Sequence, residues 1–273
     1  MERSTEIMRI AFIGGGNMGE AMLSAILGKH LTTVQSITLS DISQERRHYL
    51  AREYGVSVTD DSRQAVAGAG IIVLAIKPQN LAEVMTKLKG SLRPEQLVLS
   101  IIAGARLDAI CHGLEHRAIV RAMPNTPAQI GQGMTVWTAT TEVTEQQSEW
   151  ASTILGAMGH EIAVADEDQI DMATAVSGSG PAYLFLFVEA LVDAAVQLGL
   201  SRDMARELVL TTVLGSGQLI KESGREPAEL RRMVTSPGGT TAEALKELEQ
   251  GNFADLIARA VRAAYERARQ LGN

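Results

Sequence analysis

Two glycine-rich stretches carry residues that can do chemistry. One is Ser236-Pro237-Gly238-Gly239-Thr240-Thr241, which opens onto Ala242-Glu243-Ala244-Leu245 and reads as a loop running into a helix. Thr240 with Glu243 three residues later is a capping-box pattern, so the spacing predicts a helix N-terminus at Thr240. Gly238 and Gly239 leave backbone N–H groups uncovered, and Gly238-Gly239-Thr240 offers such donors to an anion such as a carboxylate. With Thr240 used by the cap, the Thr241 hydroxyl is free to face a ligand. A plain turn before a plain helix is the alternative reading of these residues. The other stretch is Gly14-Gly15-Gly16-Asn17-Met18-Gly19, a G-x-G-x-x-G that follows the apolar run Met8 to Ile13 and precedes the helical pattern Ala21 to Leu27. In that context the first glycine makes a turn, the second lets a pyrophosphate approach the backbone, and the third lets helix and strand pack closely.

Further residues gather around these two. Asp41 follows Gly19 by 22 residues, close to the spacing of about 20 at which an acid bonds a ribose 2′-hydroxyl. Arg46 and Arg47 come soon after, and an arginine there can accept a 2′-phosphate, so NAD and NADP both stay open. Lys77 can act as a catalytic cation, but lining the nicotinamide side is the favoured reading. Ser177-Gly178-Ser179-Gly180-Pro181-Ala182-Tyr183 breaks a helical pattern with two glycines and two hydroxyls, as a kinked helix entry or as a flexible backbone surface beside a substrate.

The elements that must position these residues alternate. Ser36 to Ser40, Val56 to Thr59, Ile71 to Ile76, Gln96 to Ile101 and Arg117 to Met123 read as further strands, with helical patterns among them. Continuous apolar runs such as Ile71-Ile72-Val73-Leu74-Ala75-Ile76 suit strands buried on both faces of a parallel sheet. The expectation is an α/β, doubly wound parallel sheet with its ligands at the carboxyl ends of strands. Those ends are Gly14 to Gly19, Asp41, Lys77-Pro78, Ala103-Gly104 and Pro124 to Pro127. Met134 to Trp137 and Glu161 to Val164 close the sheet around a helix from Glu145 to Met158. From about Asp166 no strand is expected. Helices are predicted from Pro181, Ser201, Pro227, Thr240 and Asn252, and Gly224 is a C-cap. The boundaries are 1–165 for a dinucleotide-binding domain and 166–273 for an all-helical one.

The chain has 273 residues, a formal net charge of −7 and 4% aromatic residues. A core built from Ala, Val, Leu, Ile and Met favours closely packed helices. The acidic balance and the lack of a basic block argue against nucleic acid and anionic membrane as partners. Cys111 is the single cysteine and reads as a small apolar side chain rather than a nucleophile. No metal site is assigned. The N-terminal run is not read as a signal peptide, and no apolar run is expected to approach membrane-spanning length. A cytoplasmic protein of a reducing compartment follows as the expectation. The broad apolar faces after Asp166 predict a homo-oligomer, at least a dimer, with the site completed near its interface.

In order, Ile13 to Gly19, Ala75-Ile76-Lys77-Pro78, Arg121 to Pro127, Val176 to Tyr183 and Val234 to Thr241 form a combination that resembles the pyrroline-5-carboxylate reductase family. The resemblance covers essentially the whole chain after a short leader, Met1 to Glu6. It implies an N-terminal Rossmann domain and a C-terminal helical dimerisation domain. It also implies NADPH- or NADH-dependent reduction of 1-pyrroline-5-carboxylate to L-proline, in dimers that in many members assemble further. The family's cofactor segments match Ile13, Gly14, Gly15, Gly16, Asn17, Met18 and Gly19, then Ala75, Ile76, Lys77 and Pro78, and Asn125. Its adenosine-side asparagine falls at Ser62, and a ribose-phosphate serine of some members falls at Asp41. Its substrate loop matches Ser236 to Thr241, with Ser177 and Ser179 as further substrate-side residues. An iminium can arrive already protonated, so a hydroxyl that holds the nitrogen suffices, and Thr241 is the candidate.

Two rivals remain at this point. A β-hydroxyacid dehydrogenase would need a general-base lysine in the helical domain, where only Lys221 and Lys246 occur, neither in a glycine-rich motif. A non-catalytic NAD(P) sensor would not need the Ser236–Thr241 loop.

Overall fold

Ile10–Ile13 (β1) is buried along its whole length, and its side chains divide by period two. Ile10 and Phe12 join one hydrophobic cluster with Met22, Leu39, Val73 and Leu99, while Ala11 and Ile13 join another with Ile72, Leu74, Val98 and Ile119. One strand thus serves two cores, as a strand covered by helices on both faces must. The computed structural model describes residues 8–272; the leader Met1 to Glu6 lies outside them.

Among the described residues β1 is joined by β2 (Ile37–Ser40), β3 (Ser57–Thr59), β4 (Ile71–Leu74), β5 (Leu97–Ser100), β6 (Ile119–Met123), β7 (Gly133–Ala139) and β8 (Gly159–Ala163). They form one sheet in the order β3-β2-β1-β4-β5-β6-β7-β8, parallel at every pairing except β6 with β7. The α/β doubly wound architecture is the expected one. The strand order reverses between β1 and β4, and such a reversal opens a crevice at the carboxyl ends of the strands. The apolar run from Ile71 leaves the sheet after Leu74, so Ala75 and Ile76 belong to the turn that follows rather than to the strand.

The helices α1 (Asn17–Gly28), α2 (Gln44–Tyr54), α3 (Ser62–Val66), α4 (Leu81–Leu88), α5 (Leu107–Leu114) and α6 (Glu145–Gly156) connect the strands. After β8 the chain is helical: α7 (Asp168–Ala173), a π-turn at Thr174–Gly178, α8 (Gly180–Gln197), α9 (Arg202–Ser223), α10 (Pro227–Met233), α11 (Thr240–Gln250) and α12 (Phe253–Leu271). Ser201 caps α9 by accepting from the Met204 N–H, and Gly224 ends it with a left-handed φ of 62°.

The expectation about apolar runs is corrected. The stretch Asp168–Gln197 is one 30-residue helix, and its most apolar 18-residue window has a mean hydropathy of 1.5, long and apolar enough to cross a membrane by length and composition. The glycines and proline expected to break the pattern do not break it. The Ser179 N–H reaches back five residues to the Thr174 carbonyl at 2.8 Å, so the helix widens and continues. Pro181 has no N–H for the Ser177 carbonyl four residues earlier. Asn125 Nδ2 donates to that carbonyl instead, at 3.0 Å.

By internal contacts the chain falls into two compact units. One holds the described residues up to Ser179 together with those from Ala264 onward, and the other is Gly180–Ala263. Within the first unit, Gly104 has φ 75°, and a Cβ on it would stand 2.6 Å from the Leu271 Cβ, so the end of α12 rests on the turn after β5.

A charged network is centred on the interior strand β6 of this first unit. Arg121, in the otherwise apolar β6, is 1% exposed and donates to Glu167 at 2.8 Å and to Asp171 at 2.5 Å. Arg106 adds contacts to Glu167, Asp168 and Asp171 at 3.4, 3.0 and 3.7 Å. Glu167 also accepts from the Leu107 N–H at 2.8 Å. These ion pairs fasten α7 and the residue before it to β6 and to the start of α5.

Candidate active site

The glycine turn after β1 has the three spatial properties that a dinucleotide fingerprint requires. Gly14 has φ 99° and packs so closely on the next strand end that a Cβ would lie 2.5 Å from the Ala75 carbonyl oxygen. Its N–H donates to the Ser40 carbonyl at 2.7 Å. A Cβ on Gly19 would lie 2.7 Å from the Gly14 oxygen, so this glycine lets α1 approach β1. A Cβ on Gly16 would meet nothing within 4 Å. Packing within the chain therefore does not demand glycine at 16, whereas a group bound against the backbone would. Gly16 is the N-cap of α1 and no side chain caps that helix, which leaves its first-turn amides for an anion. The residues present fit a dinucleotide pyrophosphate.

Around this turn the fold gathers Ile13, Asn17, Met18, Asp41, Ser62, Ala75, Ile76, Lys77 and Pro78. The Ala75 N–H donates to Ile13 O at 2.8 Å, and exposed Lys77 precedes the short 3-10 turn Pro78–Asn80. Asp41 stands at the end of β2. Its Oδ2 accepts from the Gly15 N–H and its Oδ1 from the Ser43 N–H, both at 2.8 Å. The Ser62 hydroxyl lies 3.3 Å from that of Ser40. The side chain of Asn125 is engaged at both ends: Oδ1 accepts from Met134 N at 2.8 Å and Nδ2 donates to Ser177 O.

Sequence reasoning missed a polar cluster under the glycine turn. Arg46 Nε donates to the Gly15 carbonyl, its Nη2 pairs with Glu20, and its guanidinium stands 5.0 Å from the centre of the Tyr49 ring. Glu20 also accepts from the Tyr49 and Tyr54 hydroxyls at 3.0 and 2.9 Å. Burial alone would raise the Glu20 carboxyl, but Arg46 and the two tyrosine hydroxyls hold it below the usual carboxylate range. Burial and the bond to Glu20 push Tyr54 up to about 12. Glu20 sits in the first turn of α1, where an unpaired carboxylate would compete with a bound anion. The Arg46 pairing neutralises it. Cys111 is partly buried, and burial raises its thiol further above the range of a reactive thiolate.

The second glycine loop is built differently from the expectation. Ser236 O accepts from the Gly239 N–H at 3.1 Å, with Pro237 and Gly238 between them and Gly238 at φ 70°. This is the arrangement of a type II turn, in which proline presets the second position and glycine supplies the positive φ at the third. Gly239, not Thr240, is the N-cap of α11, and no side chain caps the helix. The predicted Thr240–Glu243 capping box is therefore absent. The turn carries the chain one residue further before the helix begins, so Thr240 already has helical geometry and its hydroxyl cannot play the N-cap part. The amide of Gly239 is spent on the turn. The uncovered donors are those of Thr240, Thr241 and Ala242, which have no intrahelical acceptor. Thr241 is half-buried, and its hydroxyl has no hydrogen-bond partner among the described residues. Ser177 back-bonds to Ala173 O at 3.0 Å, which holds its side chain along the helix.

Comparison with known proteins bears on this arrangement. Residues 167–271 match a family model described as pyrroline-5-carboxylate reductase dimerisation, and residues 9–104 match one described as NADP oxidoreductase coenzyme F420-dependent. The pyrroline-5-carboxylate reductase of Pseudomonas aeruginosa is 43% identical over 96% of both chains. The chain belongs to the pyrroline-5-carboxylate reductase family. Among solved structures, a family member from Coxiella burnetii is 39% identical, covers 98% of this chain and 100% of its own, and superposes with a TM-score of 0.88. The Plasmodium falciparum pyrroline carboxylate reductase, solved with NADP bound, is 30% identical over 97% of this chain and 98% of its own, with a TM-score of 0.90. As a member of the pyrroline-5-carboxylate reductase family this chain is an oxidoreductase, and its helical part carries that family's dimerisation fold.

Proposed function

We propose that this chain reduces 1-pyrroline-5-carboxylate to L-proline with NADPH or NADH. The observation that carries the reading is the presence in one chain of two uncapped helix starts. Behind one lies the open Gly16 turn, and behind the other the Ser236–Gly239 turn with an unpartnered Thr241 hydroxyl. Gly14 to Gly19 with Ile13, Asp41, Ser62, Ala75 to Pro78 and Asn125 hold the dinucleotide. When bound, its reduced nicotinamide supplies the hydride. The amides at the start of α11, shaped by Ser236, Gly238, Gly239 and Thr240, hold the substrate carboxylate. The Thr241 hydroxyl holds the imine nitrogen, while Ser177 and Ser179 contribute backbone surface beside the substrate. Orientation, rather than a strong general acid, is what the protein adds.

The same reading assigns residues 1–165 to the nucleotide and 166–273 to substrate binding and pairing with a second copy, in the cytoplasm. Phe185, Leu186 and Leu214 are 62, 68 and 72% exposed in the single chain. An apolar surface of that kind marks an interaction site, and the matched dimerisation model points to a second copy rather than a bilayer. Light scattering at low micromolar concentration should give at least a dimer, and a stable, active monomer would refute the assembly. The activity is tested by following NADPH and NADH absorbance with pyrroline-5-carboxylate and, separately, with a panel of hydroxyacids. Turnover only with a hydroxyacid would refute the reductase reading.

A further inference from the structure

We propose that the rim at the end of β2 selects NADH over NADPH, with Asp41 as the discriminating residue. The proposal rests on the nucleotide-binding reading above. Both Asp41 oxygens are fixed by backbone amides of Gly15 and Ser43 at 2.8 Å, so the carboxylate cannot turn away from the strand end. An ionised carboxylate only accepts hydrogen bonds. Its remaining lone pairs suit the two hydroxyl donors of a ribose diol, whereas a 2′-phosphate would bring acceptors and negative charge against it.

A chain that accepts NADPH would need a cation to offset that repulsion, and neither nearby arginine is uncommitted. Arg46 is held by Gly15 O, Glu20 and the face of Tyr49. Arg47 donates to the carbonyls of Asp41 and Ile42 at 2.7 and 3.2 Å and stands 3.7 Å from Asp60, with its side chain 15% exposed. Turning either guanidinium outward would break bonds that shape the glycine turn or the β2–α2 connection. Asp60 and Asp61, exposed beyond the end of β3, add further negative charge to the same rim. Ser62 faces Ser40 and carries no charge.

The test is isothermal titration of the full chain with NADH and with NADPH, at low and at added salt. NADH is expected to bind tighter by roughly tenfold or more at low salt, with the gap narrowing as salt screens the rim. Asp41→Ser should move the affinity ratio toward NADPH by about tenfold. Because Asp41 also anchors two amides, Asp60→Asn serves as a second variant that leaves the turn untouched. It should raise NADPH affinity a few-fold and leave NADH affinity unchanged. Wild-type protein that binds NADPH as tightly as NADH, or a ratio unmoved in both variants, would overturn the proposal while pyrroline-5-carboxylate-dependent turnover kept the reductase reading intact. Failure to bind either nucleotide would overturn both.

Discussion

Thr241→Ala is expected to lower kcat/KM with pyrroline-5-carboxylate by roughly 10- to 150-fold. A hydrogen bond to a charged group is worth about 1.5–3 kcal/mol, and each decade corresponds to about 1.4 kcal/mol. The hydroxyl makes no internal bond among the described residues, so its removal should leave the melting temperature close to that of the parent. Nucleotide affinity should also hold, because the fingerprint glycines and Asp41 lie in a different stretch of the chain. Thr240→Ala is the matched control. Thr240 makes no capping bond, so its loss should change stability by no more than about 0.5 kcal/mol, the ordinary range for an exposed position. Any rate loss should be smaller than for Thr241. Full activity in Thr241→Ala would remove the hydroxyl from the chemistry and leave water as the partner of the imine nitrogen.

Arg121→Met should cost far more stability than either threonine substitution. It leaves Asp171, 2% exposed, with only the distant guanidinium of Arg106 at 3.7 Å. Removing one partner of a buried ion pair typically costs about 3–5 kcal/mol, chiefly through the stranded charge. That corresponds to a fall in melting temperature on the order of 10 °C for a chain of this size. Calorimetry of Arg121→Met, Asp171→Asn and the double variant closes a thermodynamic cycle. The double variant should lose clearly less than the two singles combined. Strict additivity would mean that the pair at 2.5 Å contributes no coupling.

The local signals and the long-range ones separate cleanly in this chain. The central strands could be read because β1, β4 and β5 are short, largely apolar runs whose character follows from their own residues, and Gly14, Gly16 and Gly19 could be read because their spacing between a strand and a helix is a local pattern. The capping box failed because Thr240 and Glu243 have the right spacing, but the preceding turn decides which residue stands at the cap. The apolar helix was cut in two because glycine and proline were weighed only against an α-helical ladder. A π-turn and the amide of Asn125, 52 residues away in sequence, restore the missing bonds. The Arg121 network was overlooked although it left a trace: an arginine in Ile119-Val120-Arg121-Ala122-Met123 must find carboxylates, and Glu167 and Asp171 lie four residues apart on a helix start. Which carboxylates it meets is fixed by tertiary packing and has no local signature.

The resting place of Leu271 on Gly104 changes how truncations of this gene should be interpreted. The polypeptide leaves the nucleotide unit at Ser179 and comes back to it at Ala264, so a stop codon placed in α12 removes part of the first unit and not merely the tail of the second. A fragment that ends at residue 179 would expose the turn after β5 and lack a segment of its own fold. A frameshift in the last two turns would therefore disturb the packing of the first unit, although it lies at the far end of the sequence.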